Sequence, residues 1–150
     1  MNREEYPGLL NHGLHKMTFQ ELKDLCVDTF ENADRRTFLL KKLRLFITYF
    51  KQTGLSAELW IDGSFLTEKP DPNDIDILFL VNQSDIRNAP VEAQRLLDEI
   101  FNQREGIKLR YKCDPYIVYP NDEDQKSYWL KHFGQNGKLP NKGIASIKIA

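Results

Sequence analysis

Cysteine is scarce in this chain: Cys26 and Cys113 are the only two in 150 residues. They form neither a CxxC pair nor a framework, which removes the usual zinc and thiol-redox readings and leaves a reducing compartment as the simplest home. Histidine is nearly as sparse, and His12 and His15 are separated by Gly13 in a segment without periodicity, so no zinc pair is suggested. Long apolar runs are missing too. The longest, Ile77 to Val81, falls far short of the ~20 residues that a membrane span requires, and the charged segment 1–7 lacks the pattern of a signal peptide. A cytoplasmic protein with no membrane partner is the expectation. Nor is there an excess of either charge: 21 basic and 22 acidic residues leave a formal net charge of −1, with no general attraction to nucleic acid or anionic lipid. Any phosphate this chain handles must be held locally.

What remains is an ordinary globular balance, 41% hydrophobic against 29% charged. A chain of this length buries roughly 68% of its unfolded surface, so its core needs no disulfide or structural metal. There is no internal repeat, low-complexity tract or long linker. The chain therefore reads as a single domain, 1–150, with N-terminal helices (1–54) packing on a sheet, a core (57–119), and a final helix and strand (124–150).

After an irregular start, Thr18 and Glu21 have the spacing of a capping box and open a short helix over 19–27. Leu39, Leu43, Phe46, Ile47 and Phe50 recur on one helical face, predicting a helix over 33–51 that is closed near Gly54. Residues 57–62 are short, apolar and aromatic and run into Gly63, as a strand ending in a tight turn does. The run Lys69, Pro70, Asp71, Pro72, Asn73 is a loop, since proline lacks the donor a central strand needs. A buried strand over 75–81 follows, then a helix over 91–103. The alternation over 107–119 predicts a strand with Ile107, Leu109, Tyr111 and Cys113 on one face and Lys108, Arg110, Lys112 and Asp114 on the other. Pro115 is placed to bend or end it. A helix over 124–133 and a strand over 143–149 complete an α+β fold, a mixed β-sheet flanked by helices.

The chemistry concentrates in one stretch. Gly63 and Ser64 close the first predicted strand, and nine residues separate Ser64 from the Asp74-x-Asp76 that opens the next. In extended chain, residues i and i+2 point the same way about 6.6 Å apart, so these carboxylates converge while Ile75 turns to the core. Two like charges in a partly desolvated cleft repel, and a divalent cation relieves the repulsion. Oxygen ligands alone favour magnesium or manganese over zinc. Glycine at the turn lets backbone amides approach a phosphate, and Ser64 offers an amide and a hydroxyl to the same anion.

Gly63-Ser64 followed by Asp74-x-Asp76 resembles the motif of the DNA polymerase beta-type nucleotidyltransferase superfamily. The stretch from Trp60 to Ile77, together with the N-terminal Pro-Gly and His-x-x-x-Thr-Phe-x-Glu elements, is similar to a small uncharacterised bacterial family of such proteins. The resemblance implies a minimal nucleotidyltransferase fold and two magnesium (or manganese) ions. It also implies a nucleoside triphosphate donor, ATP foremost, and transfer of a nucleoside monophosphate to a hydroxyl acceptor, on a protein or RNA. By the same resemblance Asp74 and Asp76 bridge both metals, and Asp114 is the third carboxylate, completing one metal site and standing as candidate general base. Gly63 and Ser64 then hold the departing pyrophosphate. Lys69, Lys112 and Arg110 are further candidates for phosphate contact. Phe65 and Leu66 stand where many members carry a basic residue. That departure motivates an alternative: a non-catalytic nucleotidyltransferase-fold regulator or antitoxin-like protein that acts by binding a partner.

Overall fold

The computed structural model describes residues 5–150; residues 1–4 of the segment read as leaderless lie outside the described residues. Its centre is a five-stranded mixed sheet, an α+β architecture with six α-helices. In chain order the strands are β1 (Gly13–Lys16), β2 (Ala57–Asp62), β3 (Ile75–Leu80), β4 (Cys113–Val118) and β5 (Gly143–Ile149). They lie in the order β1-β5-β2-β3-β4. The two outer pairs, β1 with β5 and β3 with β4, are parallel, and β2 runs antiparallel to both its neighbours. Among the described residues, no helix is long and apolar enough to cross a membrane.

The strands' period of two sorts their side chains onto two faces. Leu59, Ile61, Ile77 and Phe79 join the larger apolar cluster, while Trp60, Leu78, Leu80 and Val118 join a smaller one on the opposite side. The first face is covered chiefly by α2 (Asp34–Lys51), whose Leu39, Leu43, Phe46 and Phe50 are fully buried. Phe50 packs on Phe79 with ring centroids 4.6 Å apart, and Phe46 meets the same ring edge-on at 5.6 Å. Leu97 and Ile100 of α4 (Val91–Asn102) extend this layer. On the other face α6 (Glu123–Gly134) lays down Trp129, Leu130 and Phe133. Both cysteines are buried in the first layer. Burial pushes the Cys26 thiol up to about 12 and Cys113 up as well, so neither is a ready thiolate at neutral pH.

The capping box forms as the spacing required, with the Glu21 amide donating to the Thr18 hydroxyl and the Thr18 amide to the Glu21 carboxylate. It opens α1 (Phe19–Lys23), which passes into one π-type turn, Asp24–Asp28. The expectation for 107–119 is corrected. Residues Arg104–Tyr111 form a helix, α5, and the strand begins only at Cys113. Ile107 and Tyr111, four apart, both turn inward in this helix, and Tyr111 stacks on Phe46 at 5.3 Å. Leu109, which alternation had assigned to the core, is 76% exposed. Lys112 ends the helix in the left-handed region at φ 54°. Lys108, Arg110 and Lys112 therefore do not share a strand face with Asp114. Pro115 stays inside β4, where a proline is tolerated because β4 is an edge strand with β3 as its only neighbour. Two short elements escaped the sequence reading, β1 and α3 (Gln83–Arg87).

Candidate functional site

The site is assembled by sheet register. Asp62 on β2 pairs with Asp76 on β3, and Asp76 pairs with Asp114 on β4. Directly paired residues project from the same face, so three aspartates stand in one row across three neighbouring strands, on the side where α6 packs. Asp74 lies two residues before Asp76 and shares its side of the chain.

Gly63 bends the chain at the end of β2 with φ +90°, a conformation glycine adopts without steric cost. A Cβ there would stand 3.0 Å from Oδ2 of Asp76 and 3.3 Å from its backbone nitrogen. The Gly-Ser turn is thus packed directly against the Asp-x-Asp segment. Ser64 then opens a single 3₁₀ turn, Ser64–Leu66.

Two adjacent arginines at the start of α2 secure the loop between these motifs. Arg36 is fully buried, and its guanidinium donates to the carbonyls of Cys26 (2.9 Å), Phe65 (2.7 Å), Thr67 (2.6 Å) and Lys69 (2.7 Å). The Phe30 ring covers it at 3.8 Å. Burial lowers its pKa to about 10, which still leaves the charge in place at neutral pH. Arg35 secures the other end of the loop, donating to Pro72 at 2.9 Å and Asn73 at 2.7 Å. The planar, five-donor fork suits arginine to holding several carbonyls at once.

Gly63, Ser64, Lys69, Asp74 and Asp76 line one cleft of about 830 Å³. The structure thus brings together five of the residues singled out from sequence. Asp114 and Lys112 are not among its lining residues. The Asp114 carboxylate accepts from Arg104 and, at 2.8 Å, from the Tyr116 hydroxyl. Its charge nevertheless reaches Asp76. Burial first, and then the charges of Asp74 and Asp114, push Asp76 up to about 6. Lys112 contributes its carbonyl, which accepts from the Ile75 amide at 3.0 Å and starts β3 beside β4. Arg110 pairs with Glu99 of α4 at 3.7 Å, away from the acids.

Sequence reasoning missed a buried ion pair that also lines the cleft, Asp62 with Lys142. Lys142, just before β5, donates to the Asp62 carboxylate and to the Phe133 carbonyl. Burial pushes Asp62 up to about 7, against the lowering effect of the Lys142 ammonium. Arg36, Arg104 and Lys142 find their partners through the fold, and no local spacing signals them. Asp62 does have a signal, since it sits one strand period before Ser64.

Among the described residues, no group of three or more His, Cys, Asp or Glu side chains is arranged to hold a metal ion. Asp74 and Asp76 alone fit a magnesium-type ion, which usually takes one or two carboxylates plus substrate phosphates and waters. Burial first, and then the neighbouring charges of Asp74 and Asp114, raise Asp76, and a divalent cation would offset both. Asp114, tied to Arg104 and Tyr116, does not join them as it stands.

The whole of the described site falls within residues 1–148, which match one sequence-family model over nearly the full length. The chain belongs to DUF6932, a family of unknown function. No curated protein and no solved structure matches the chain.

Proposed function

We propose that this DUF6932 protein is a metal-dependent nucleotidyltransferase that moves a nucleoside monophosphate from a nucleoside triphosphate to a hydroxyl acceptor on a protein or RNA. The observation that supports it is the fit of Gly63 against Asp76, where even one added carbon would crowd the carboxylate. A turn free of side chain beside converging carboxylates suits a polyphosphate that must touch backbone and share a cation with the acids. The resemblance of Gly63-Ser64 and Asp74-x-Asp76 to polymerase beta-type enzymes supports the same reading. Asp74 and Asp76 would hold the divalent ion, which supplies charge neutralisation at the phosphates and a lowered pKa at the acceptor hydroxyl. Gly63 and Ser64 orient the departing pyrophosphate, with Lys69 in the same cleft as a countercharge. Arg35 and Arg36 keep the two motifs in register. Asp114 would serve a second ion, and accept the hydroxyl proton, only once Arg104 and Tyr116 release it.

Isothermal titration with each of the four ribonucleoside triphosphates, with magnesium and with manganese, tests the proposal. Binding is expected with the wild type and lost in Asp74→Ala and Asp76→Ala. No heat with any triphosphate and either metal would overturn it.

One observation favours a second reading, a regulator or antitoxin-like protein that works by contact. The third carboxylate is already engaged by Arg104 and Tyr116. Under that reading, the Asp74→Ala, Asp76→Ala double variant keeps its full biological effect.

A further inference from the structure

The α6 wall of the cleft carries aromatic rings that the core does not use. Tyr128 and His132, four residues apart on α6, belong to neither apolar cluster. They stack nearly parallel, with an interplanar angle of 8° and centroids 5.7 Å apart, and Tyr128 is 55% exposed. His132 lines the same cleft as Gly63, Ser64, Asp74 and Asp76. Trp129 stands edge-to-face with His132 at 5.4 Å and packs on Tyr116 at 4.5 Å. The hydroxyl of Tyr116 in turn donates to Asp114. A continuous aromatic strip therefore runs from the cleft to the end of the carboxylate row. Flat π-surface held in solvent beside a phosphate-sized turn is what a nucleobase stacks on. The amides of Gln135 and Asn136 line the cleft just beyond the helix. Asn136 donates to the Tyr6 carbonyl at 3.0 Å, which leaves its side-chain oxygen as an acceptor. Paired amide donors and acceptors suit the N6 and N7 edge of adenine.

We propose that His132 and Tyr128 form a stacking platform for a nucleobase bound in the cleft that the Gly63-Ser64 turn lines. The inference rests on the nucleotidyltransferase reading, and it adds a base-binding subsite on α6 to the phosphate and metal residues. The base belongs either to the donor triphosphate or to a nucleic-acid acceptor, and both offer the same ring to the same platform.

The test uses the full chain carrying Trp60→Phe, which leaves Trp129, beside His132, as the one tryptophan reporter. Manganese with inorganic tripolyphosphate, manganese with ATP, and an unphosphorylated five-residue oligoadenylate are each titrated, followed by calorimetry and by Trp129 fluorescence. Tripolyphosphate is expected to bind without changing the fluorescence, and ATP to bind more tightly and quench it. His132→Ala weakens ATP by roughly tenfold and leaves tripolyphosphate unchanged, while His132→Phe, which keeps a flat ring, restores ATP binding. Quenching by ATP assigns the base to the donor; quenching by the oligoadenylate alone assigns it to the acceptor, and either supports the platform. If tripolyphosphate binds but ATP is no tighter and neither base-bearing probe quenches, the platform is overturned while the phosphate reading stands. If His132→Ala weakens both polyphosphate ligands equally, the platform is likewise overturned. If no probe binds at all, both readings fall together.

Discussion

Replacing Asp76 by asparagine is expected to make the metal-free protein more stable at neutral pH, because the folded chain buries this carboxylate and sets like charges beside it. In the unfolded chain Asp76 ionises near 3.8, whereas in the fold burial and the charges of Asp74 and Asp114 move it to about 6. Between those values the folded state binds the extra proton, so stability is full below pH 4 and falls as the pH rises to 6. Moving from 3.8 to about 6 corresponds to about 3 kcal/mol, and partial access of solvent lowers the expected loss to about 2 kcal/mol. Asp76→Asn keeps the shape and one acceptor but never ionises. In chelator at pH 7.5 its Tm should exceed that of the wild type by ~4–8 °C, with the difference vanishing near pH 3.5. Millimolar manganese should raise the wild type and leave the variant where it was. Thermal unfolding followed by circular dichroism, at several pH values with and without manganese, reads all of this. A variant no more stable than the wild type at pH 7.5 in chelator would refute the idea that the buried, like-charged setting of the Asp76 carboxylate costs stability.

Four further outcomes follow from the same geometry. Gly63→Ala places a Cβ at φ +90° and 3.0 Å from Asp76 Oδ2, so urea denaturation should show a loss of about 1–3 kcal/mol, and calorimetry a loss of triphosphate binding. Arg36→Met removes the donors from four buried carbonyls; a destabilisation of about 3–5 kcal/mol is expected, with amide exchange rising first in 64–69. Lys142→Met leaves the Asp62 carboxylate unpaired and, by removing the ammonium that lowers it, moves its pKa above the wild-type value of about 7; a cost of about 3–5 kcal/mol is expected at alkaline pH, should shrink as the pH falls towards neutrality and Asp62 takes up its proton, and should be mostly recovered by adding Asp62→Asn. Arg104→Ala with Tyr116→Phe frees both oxygens of Asp114 and should tighten manganese binding in calorimetry, whereas unchanged affinity would take Asp114 out of the ion site.

Much of the framework was legible in the chain because its periodicities are unambiguous. The α2 stripe from Leu39 to Phe50 fits only a helix, and β5 and β2 are bounded by glycine on at least one side. The segment from Ile107 to Cys113 was misread because its apolar residues satisfy a period of two as well as they satisfy an inward Ile107 and Tyr111 on a helix. The packing of Tyr111 on Phe46, a tertiary contact, decided the matter. β1 is four residues long with a polar alternate face, too short to stand out from loop. At the site, Gly63, Ser64, Asp74 and Asp76 were readable from spacing, since a turn and a strand start act locally. Arg36 reaches residues up to 33 positions away and Lys142 reaches back 80, so their roles come into being only when the chain closes.

The alignment of Asp62, Asp76 and Asp114 through adjacent ladder pairs makes the spacing of the acids a property of the main chain. Neighbouring strands sit about 4.8 Å apart whatever side chains they carry, so the row is set by the same hydrogen bonds that hold the sheet. Lengthening the excursion from β3 to β4 at its exposed turn, 88–90, would leave the row intact, because both of its ends are fixed by pairing. A single residue inserted inside β4 beyond Asp114 would instead set the register of Tyr116 and Val118 against that of Asp114, so that one of the two would change face. The turns of the helical excursion are thus free ground for variation in length, while the interior of β4 tolerates none.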